Sequence, residues 1–76
     1  MELEEFVQNF ADLFDETDAS VFTPETRFRD LEEWSSLIGL SVIAMADDEY
    51  DVTLAGDDIR NSNTVKDIFD IVKSRL

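Results

Sequence analysis

The sequence predicts a small all-α domain with helices near both ends, a long apolar helix in the middle, an extended loop ahead of that helix and one short helical turn after it. Three observations support this. Apolar residues recur at the i, i+3, i+4, i+7 spacing of a helical face near the start, centre and end of the chain. A hydrophobic content of 43% and an aromatic content of 11%, mostly six Phe, exceed what a disordered acidic tail would carry. The 76 residues contain no cysteine, so one small core must hold by packing alone, without disulfides.

The first helix starts at Leu3, where Leu3, Phe6, Val7, Phe10, Leu13 and Phe14 share one face. Glu2, Glu4 and Glu5 place negative charge at its dipole-positive end, and Asp15, Thr17 and Asp18 end the pattern. Between Thr17 and Ser35 the periodicity lapses, and Thr23 before Pro24 is biased away from helix. Val21, Phe22, Phe28 and Leu31 are isolated apolar residues of buried type, so the loop is expected to pack across the helices. Loops of this length in compact domains tend to be functional, which draws attention to its far end. Arg27 and Arg29, the only basic residues of the first half, are expected to pair with nearby surface carboxylates.

The second helix, Ser36 to Asp51, follows Trp34-Ser35-Ser36-Leu37. Serine before an apolar run is most often an N-cap. The same helix start also offers unpaired N–H groups and the positive end of the macrodipole to any anionic group carried on a serine. At 100° per residue, Gly39, Val42, Ile43, Ala46 and Tyr50 gather as the core stripe. Leu37, Leu40 and Ala44 gather opposite, flanked by Ser41, Asp47 and Asp48, which predicts an exposed apolar patch with an acidic edge. Ala55 to Ile59 lead into a short helical turn ending near Asn61. Thr64 caps the last helix, whose face is Val65, Ile68, Phe69 and Val72 and whose final turn holds Lys73 and Arg75.

A net charge of −13 repels nucleic acid and anionic membranes and favours basic partner surfaces. Without histidine there is no ordinary general base for a serine triad, and without histidine or cysteine no transition-metal site, so an enzyme in its own right is not expected. Counting a calcium loop from Asp47 puts Val52 where Gly is needed and Asp58 where a bidentate Glu is needed, which rejects an EF-hand. No apolar run reaches spanning length, and Met1 to Glu5 is acidic where a signal leader is basic, so the expectation is a cytoplasmic protein.

The stretch Phe28-Arg29-Asp30-Leu31-Glu32-Glu33-Trp34-Ser35-Ser36-Leu37, the two-faced acidic helix, Tyr50-Asp51-Val52 and Thr64-Val65 together resemble the acyl carrier protein family over nearly the whole chain. The resemblance implies a four-helix bundle of acyl-carrier type, with a long loop between helices one and two and a short third helix. It implies that Ser36, followed by Leu37, carries a 4'-phosphopantetheine arm derived from coenzyme A, with acyl groups held as thioesters on the arm's thiol. It further implies recognition by a phosphopantetheinyl transferase, and by acyl-transfer, ligase or synthase enzymes with basic docking surfaces, through Leu37, Leu40, Ser41, Ala44, Asp47 and Asp48 of a monomeric carrier. Ser35 stands where the family motif has Asp, and Ser41 where a glutamate is common. The Trp-Ser-Ser-Leu form looks closer to carriers of specialised lipid, polyketide-like or polysaccharide-linked pathways than to a housekeeping fatty-acid carrier. An unmodified acidic interaction module using the same face, or a peptidyl carrier of nonribosomal synthesis, would share most of these features.

Overall fold

A computed structural model describes residues 2–76, so that Met1, at the head of the acidic N-terminal stretch, lies outside them. Four α-helices run Leu3–Ala11 (α1), Ser36–Tyr50 (α2), Gly56–Arg60 (α3) and Val65–Ser74 (α4). The connection between α1 and α2 holds two 3₁₀ turns, Ala19–Val21 and Phe28–Asp30, and no β-strand occurs among the described residues. The all-α class is as the apolar spacing predicts.

The first helix stops earlier than its apolar pattern. After Ala11 the chain tightens to i→i+3 bonds, with Leu13 N–H donating to Phe10 O (3.1 Å) and Phe14 N–H to Ala11 O (3.0 Å). Leu13 and Phe14 therefore keep a helix-like direction without being helical, and Phe14 is still buried.

The core is built on aromatic rings. Phe6 meets Phe69 of α4 edge-on at 5.6 Å between centroids, Phe10 meets Phe28 at 5.9 Å, and Phe14 meets Phe22 at 4.8 Å. Phe22 and Phe28 come from the long loop, so the loop packs across the helices as expected, although Val21 stays 45% exposed. Fully burying a side chain of this size stabilises by about 1.5–3 kcal/mol, and a well-placed ring pair adds about 0.5–1.5 kcal/mol. These contacts anchor a connection whose own backbone hydrogen bonds are short-range i→i+3 turns.

Hydrogen bonds tie the same loop to α4. Lys66 N–H donates to Pro24 O (2.9 Å) and Val65 N–H to Thr26 O (3.1 Å), so loop carbonyls satisfy N–H groups that a helix start leaves unpaired. Thr64 Oγ1 accepts from Asp67 N–H (3.2 Å), while the Asp67 carboxylate accepts from Asn63 and Thr64 N–H at 2.9 and 3.1 Å. Those bonds, with that from Asn63 N–H foremost, hold the Asp67 carboxyl below the usual carboxylate range.

In α2 the stripe Gly39, Val42 and Ala46 is buried, with Ile43 and Tyr50 half-buried. Met45 is buried as well, which widens the core face beyond the predicted stripe. Leu13, in the turn after α1, packs against the core and lines the same groove as Met45 on that flank. The helix ends on Asp51 in the left-handed region (φ 55°), with Val52 N–H reaching back to Ala46 O at 3.2 Å. This reversal sends Val52 and Leu54 into the core and starts the approach to α3.

Candidate functional site

The start of α2 is where the loop, the longest helix and α3 converge. Ser35 is extended (φ −155°, ψ 171°) and is the N-cap, its Oγ accepting from Ile38 N–H at 3.4 Å, which is long for a cap bond. Ser36 is therefore the first helical residue, exposed, with its hydroxyl making no hydrogen bond among the described residues. Its own N–H and that of Leu37 lie in the first turn, where no intrahelical acceptor exists.

Past Ser36 the exposed face follows the predicted phase. Leu37 is 74% exposed and Leu40 63% exposed; Ala44, Asp47 and Asp48 are also exposed and Ser41 is partly so. A groove of about 360 Å³ runs along one flank of this face, lined by Leu13, Ser41, Ala44, Met45, Asp48 and Glu49. A cleft of about 360 Å³ lies on the other flank, between α2 and α3, and there Ser36 and Trp34 share a wall with Gly39, Leu40 and Ile43 while Ile59 and Arg60 face them.

Trp34 is held firmly. Its indole lies 4.6 Å from the Phe28 ring centroid, stacks at 6.5 Å on Phe14, and covers the Cα of Gly39, where an added methyl would sit 3.7 Å from it. The preceding residue, Glu33, reaches the other way. Its carboxylate accepts from Asp15 N–H (2.8 Å), Glu16 N–H (3.1 Å) and Thr17 Oγ1–H (2.7 Å), all just past α1. The Thr17 hydroxyl bond is the main cause of a Glu33 carboxyl held below its ordinary range.

Arg29 also lines the cleft, and here the structure corrects an expectation. Among the described residues its guanidinium pairs with no carboxylate and instead donates to Arg60 O (3.0 Å), Ser62 O and Asn63 Oδ1 (3.3 Å), capping the carbonyl end of α3. Arg27 forms no ion pair among the described residues, so the surface pairing expected of it is absent there too. Arg60 pairs with Asp57 one turn away.

In a chain of net charge −13, two of the six basic residues thus border the cleft that contains Ser36. An exposed hydroxyl that bonds to no other described residue, at a helix start whose first N–H groups are unpaired, fits a phosphate ester, and Arg29 and Arg60 line the same cleft with their guanidinium groups already engaged by carbonyls and by Asp57. Ser36 was identifiable from its place before an apolar run. Trp34 was visible only as a bulky neighbour. Arg60 carries no local signal, since it lies 24 residues downstream of Ser36 and is brought here by the reversal between α2 and α3.

No family model, curated protein or solved structure matches the chain.

Proposed function

We propose that this chain is an acyl carrier protein, receiving at Ser36 a 4'-phosphopantetheine arm from coenzyme A and presenting acyl intermediates to separate enzymes of a specialised lipid, polyketide-like or polysaccharide-linked pathway. One observation carries the reading. An exposed serine whose hydroxyl makes no hydrogen bond among the described residues opens the 15-residue helix α2, and exposed Leu37 and Leu40 continue from it along an acidic face.

The chain's own part in attachment is modest. Ser36 supplies the hydroxyl oxygen, Ser35 caps the helix without consuming that hydroxyl, and the unpaired N–H groups of the first turn face the charge that results. Arg29, which has no carboxylate partner among the described residues, offsets part of the negative field at the cleft, whereas the charge of Arg60 is met by Asp57. With no histidine in the chain, activation of the hydroxyl falls to a phosphopantetheinyl transferase and its Mg²⁺. When bound, the arm supplies a thiol that holds acyl groups as thioesters. Leu37, Leu40 and Ala44 offer a small apolar contact flanked by Ser41, and Asp47 and Asp48 steer basic partner surfaces toward it, a combination that favours fast exchange among partners.

The test is intact mass after incubation with coenzyme A and a promiscuous transferase, run on wild type, Ser35→Ala and Ser36→Ala beside a known carrier. The expected outcome is a phosphopantetheine-sized mass gain in wild type and Ser35→Ala and none in Ser36→Ala. Loss only in Ser35→Ala would move the site by one residue. No gain in wild type, with the control modified, would favour an unmodified acidic interaction module on the same face.

A further inference from the structure

We infer that Glu33 and Trp34 are positioning residues for Ser36, which together hold the first turn of α2 in register for attachment of the arm; the kinetic part of this inference rests on the carrier reading above. The argument starts from how little else holds that turn. Its side-chain cap, Ser35 Oγ to Ile38 N–H, is 3.4 Å long, and its first intrahelical bond is Gly39 N–H to Ser35 O at 3.0 Å. Leu37 and Leu40 on its outer side are mostly exposed, and its inward packing comes from Ile38, half-buried against the core, and from Gly39, which has no side chain. A helix end with one weak cap and few buried contacts frays.

The two residues immediately before the serines make up for this, in opposite directions. Glu33 fastens this end of the loop, a strap leading into α2, to the residues just after α1 through three accepted hydrogen bonds, two from backbone N–H groups and one from the Thr17 hydroxyl. Trp34 fastens it to the core through Phe28 and Phe14, and its indole also lies over Gly39, one turn into the helix. The ring therefore touches both the loop that delivers Ser36 and the helix that Ser36 opens. Displacing a reacting atom by about 1 Å can cost on the order of a hundredfold in rate, so a strap pinned on two sides bears on the reaction, not only on the fold.

The experiment compares wild type with Glu33→Ala, Trp34→Ala, Trp34→Phe and the remote core variant Val72→Ala. Amide hydrogen exchange is read residue by residue, and attachment is followed with coenzyme A and a promiscuous transferase. For Glu33→Ala and Trp34→Ala, exchange at Gly39 and Leu40 should rise about tenfold or more while Ile68 and Phe69 in α4 keep their relative protection. The kcat for attachment should fall roughly tenfold to a hundredfold with KM nearly unchanged, because the docking face is intact. Trp34→Phe should recover most of both. Val72→Ala, which only lowers the folded fraction, should raise apparent KM and leave kcat alone.

Should Glu33→Ala and Trp34→Ala behave like Val72→Ala, or should Gly39 and Leu40 exchange no faster in them, the assignment is overturned. If wild type accepts no arm yet the exchange pattern is as expected, the carrier reading fails while the pinning of the helix start stands. Glu33→Ala leaves the core untouched, so the question is decided even if Trp34→Ala does not fold.

Discussion

Ser35 and Ser36 are neighbours with the same side chain, and one hydrogen bond separates their tasks. Ser35 is bent into the extended region and caps; Ser36 is helical and free. Ser35→Ala should lower stability by up to about 1 kcal/mol in urea melts, and Ser35→Asp should raise it, since a carboxylate caps and also meets the helix dipole. A loss well above that range would mean the hydroxyl does more than cap. Gly39 offers a second check. A methyl there would meet the Trp34 indole at 3.7 and 3.8 Å, ordinary contact distances, and Gly in a helix interior costs about 1 kcal/mol relative to Ala. Gly39→Ala should therefore stabilise by about 0.5–1 kcal/mol; a lower melting temperature would show that the indole cannot accommodate the methyl. At this scale the sequence exposed the serines, because capping is local chemistry. It hid the partners of Arg29, because backbone carbonyls at the end of a distant helix have no residue signature.

Among the elements, α3 depends most on others. It has five residues, of which Ile59 alone is buried. An arginine holds each of its ends. At the N-terminal end Asp58 accepts from Ala55 N–H (2.8 Å) and takes Arg75 in a two-pronged pair at 2.7 and 2.9 Å, while Arg75 also donates to Thr53 O. At the other end Arg29 caps carbonyls. The Arg75 hydrogen bond is the main reason the Asp58 carboxyl lies below its ordinary range. A depressed folded-state pKa contributes stability that is complete above the unfolded value of about 3.9 and is lost as pH falls through the folded value. The Arg29 contacts end on carbonyls and do not titrate. Acid titration followed by NMR should thus loosen Ala55 before Ser62; simultaneous loss would mean α3 is released as one unit. On α2, Leu40→Ala should leave the circular dichroism melt unchanged and raise the transferase KM, because the side chain is mostly exposed. If it unfolds the chain, Leu40 belongs to the core.

The limits of α2 and α4 were legible to within a residue, because caps and apolar phase agree there. The end of α1 was not, since a tightened last turn preserves the same apolar spacing. Met45 was missed because a wheel assigns one core direction, whereas the turn after α1 brings Leu13 against a second flank.

For the whole molecule, class, size and charge were legible and the order of rings in the core was not, since nothing in the spacing says that Phe28 meets Phe10 and Trp34. The charge carries its own expectation. The three ion pairs among the described residues, all largely at the surface, offset little of a net −13. Self-repulsion among the carboxylates should limit stability at neutral pH and be screened by salt. Thermal melts at low and moderate ionic strength should show a rising melting temperature; no rise would mean the charges are already compensated locally.

The indole that bridges the strap and the second helix is the chain's one tryptophan. Because it sits half-buried in the cleft wall beside Ser36, the natural ultraviolet emission of the protein arises almost wholly at that spot. Covalent loading of the serine, or the arrival of a partner over the cleft, should change the wavelength and intensity of that emission. The molecule thereby carries a label-free optical gauge of its own occupancy, readable in a stopped-flow instrument without a dye.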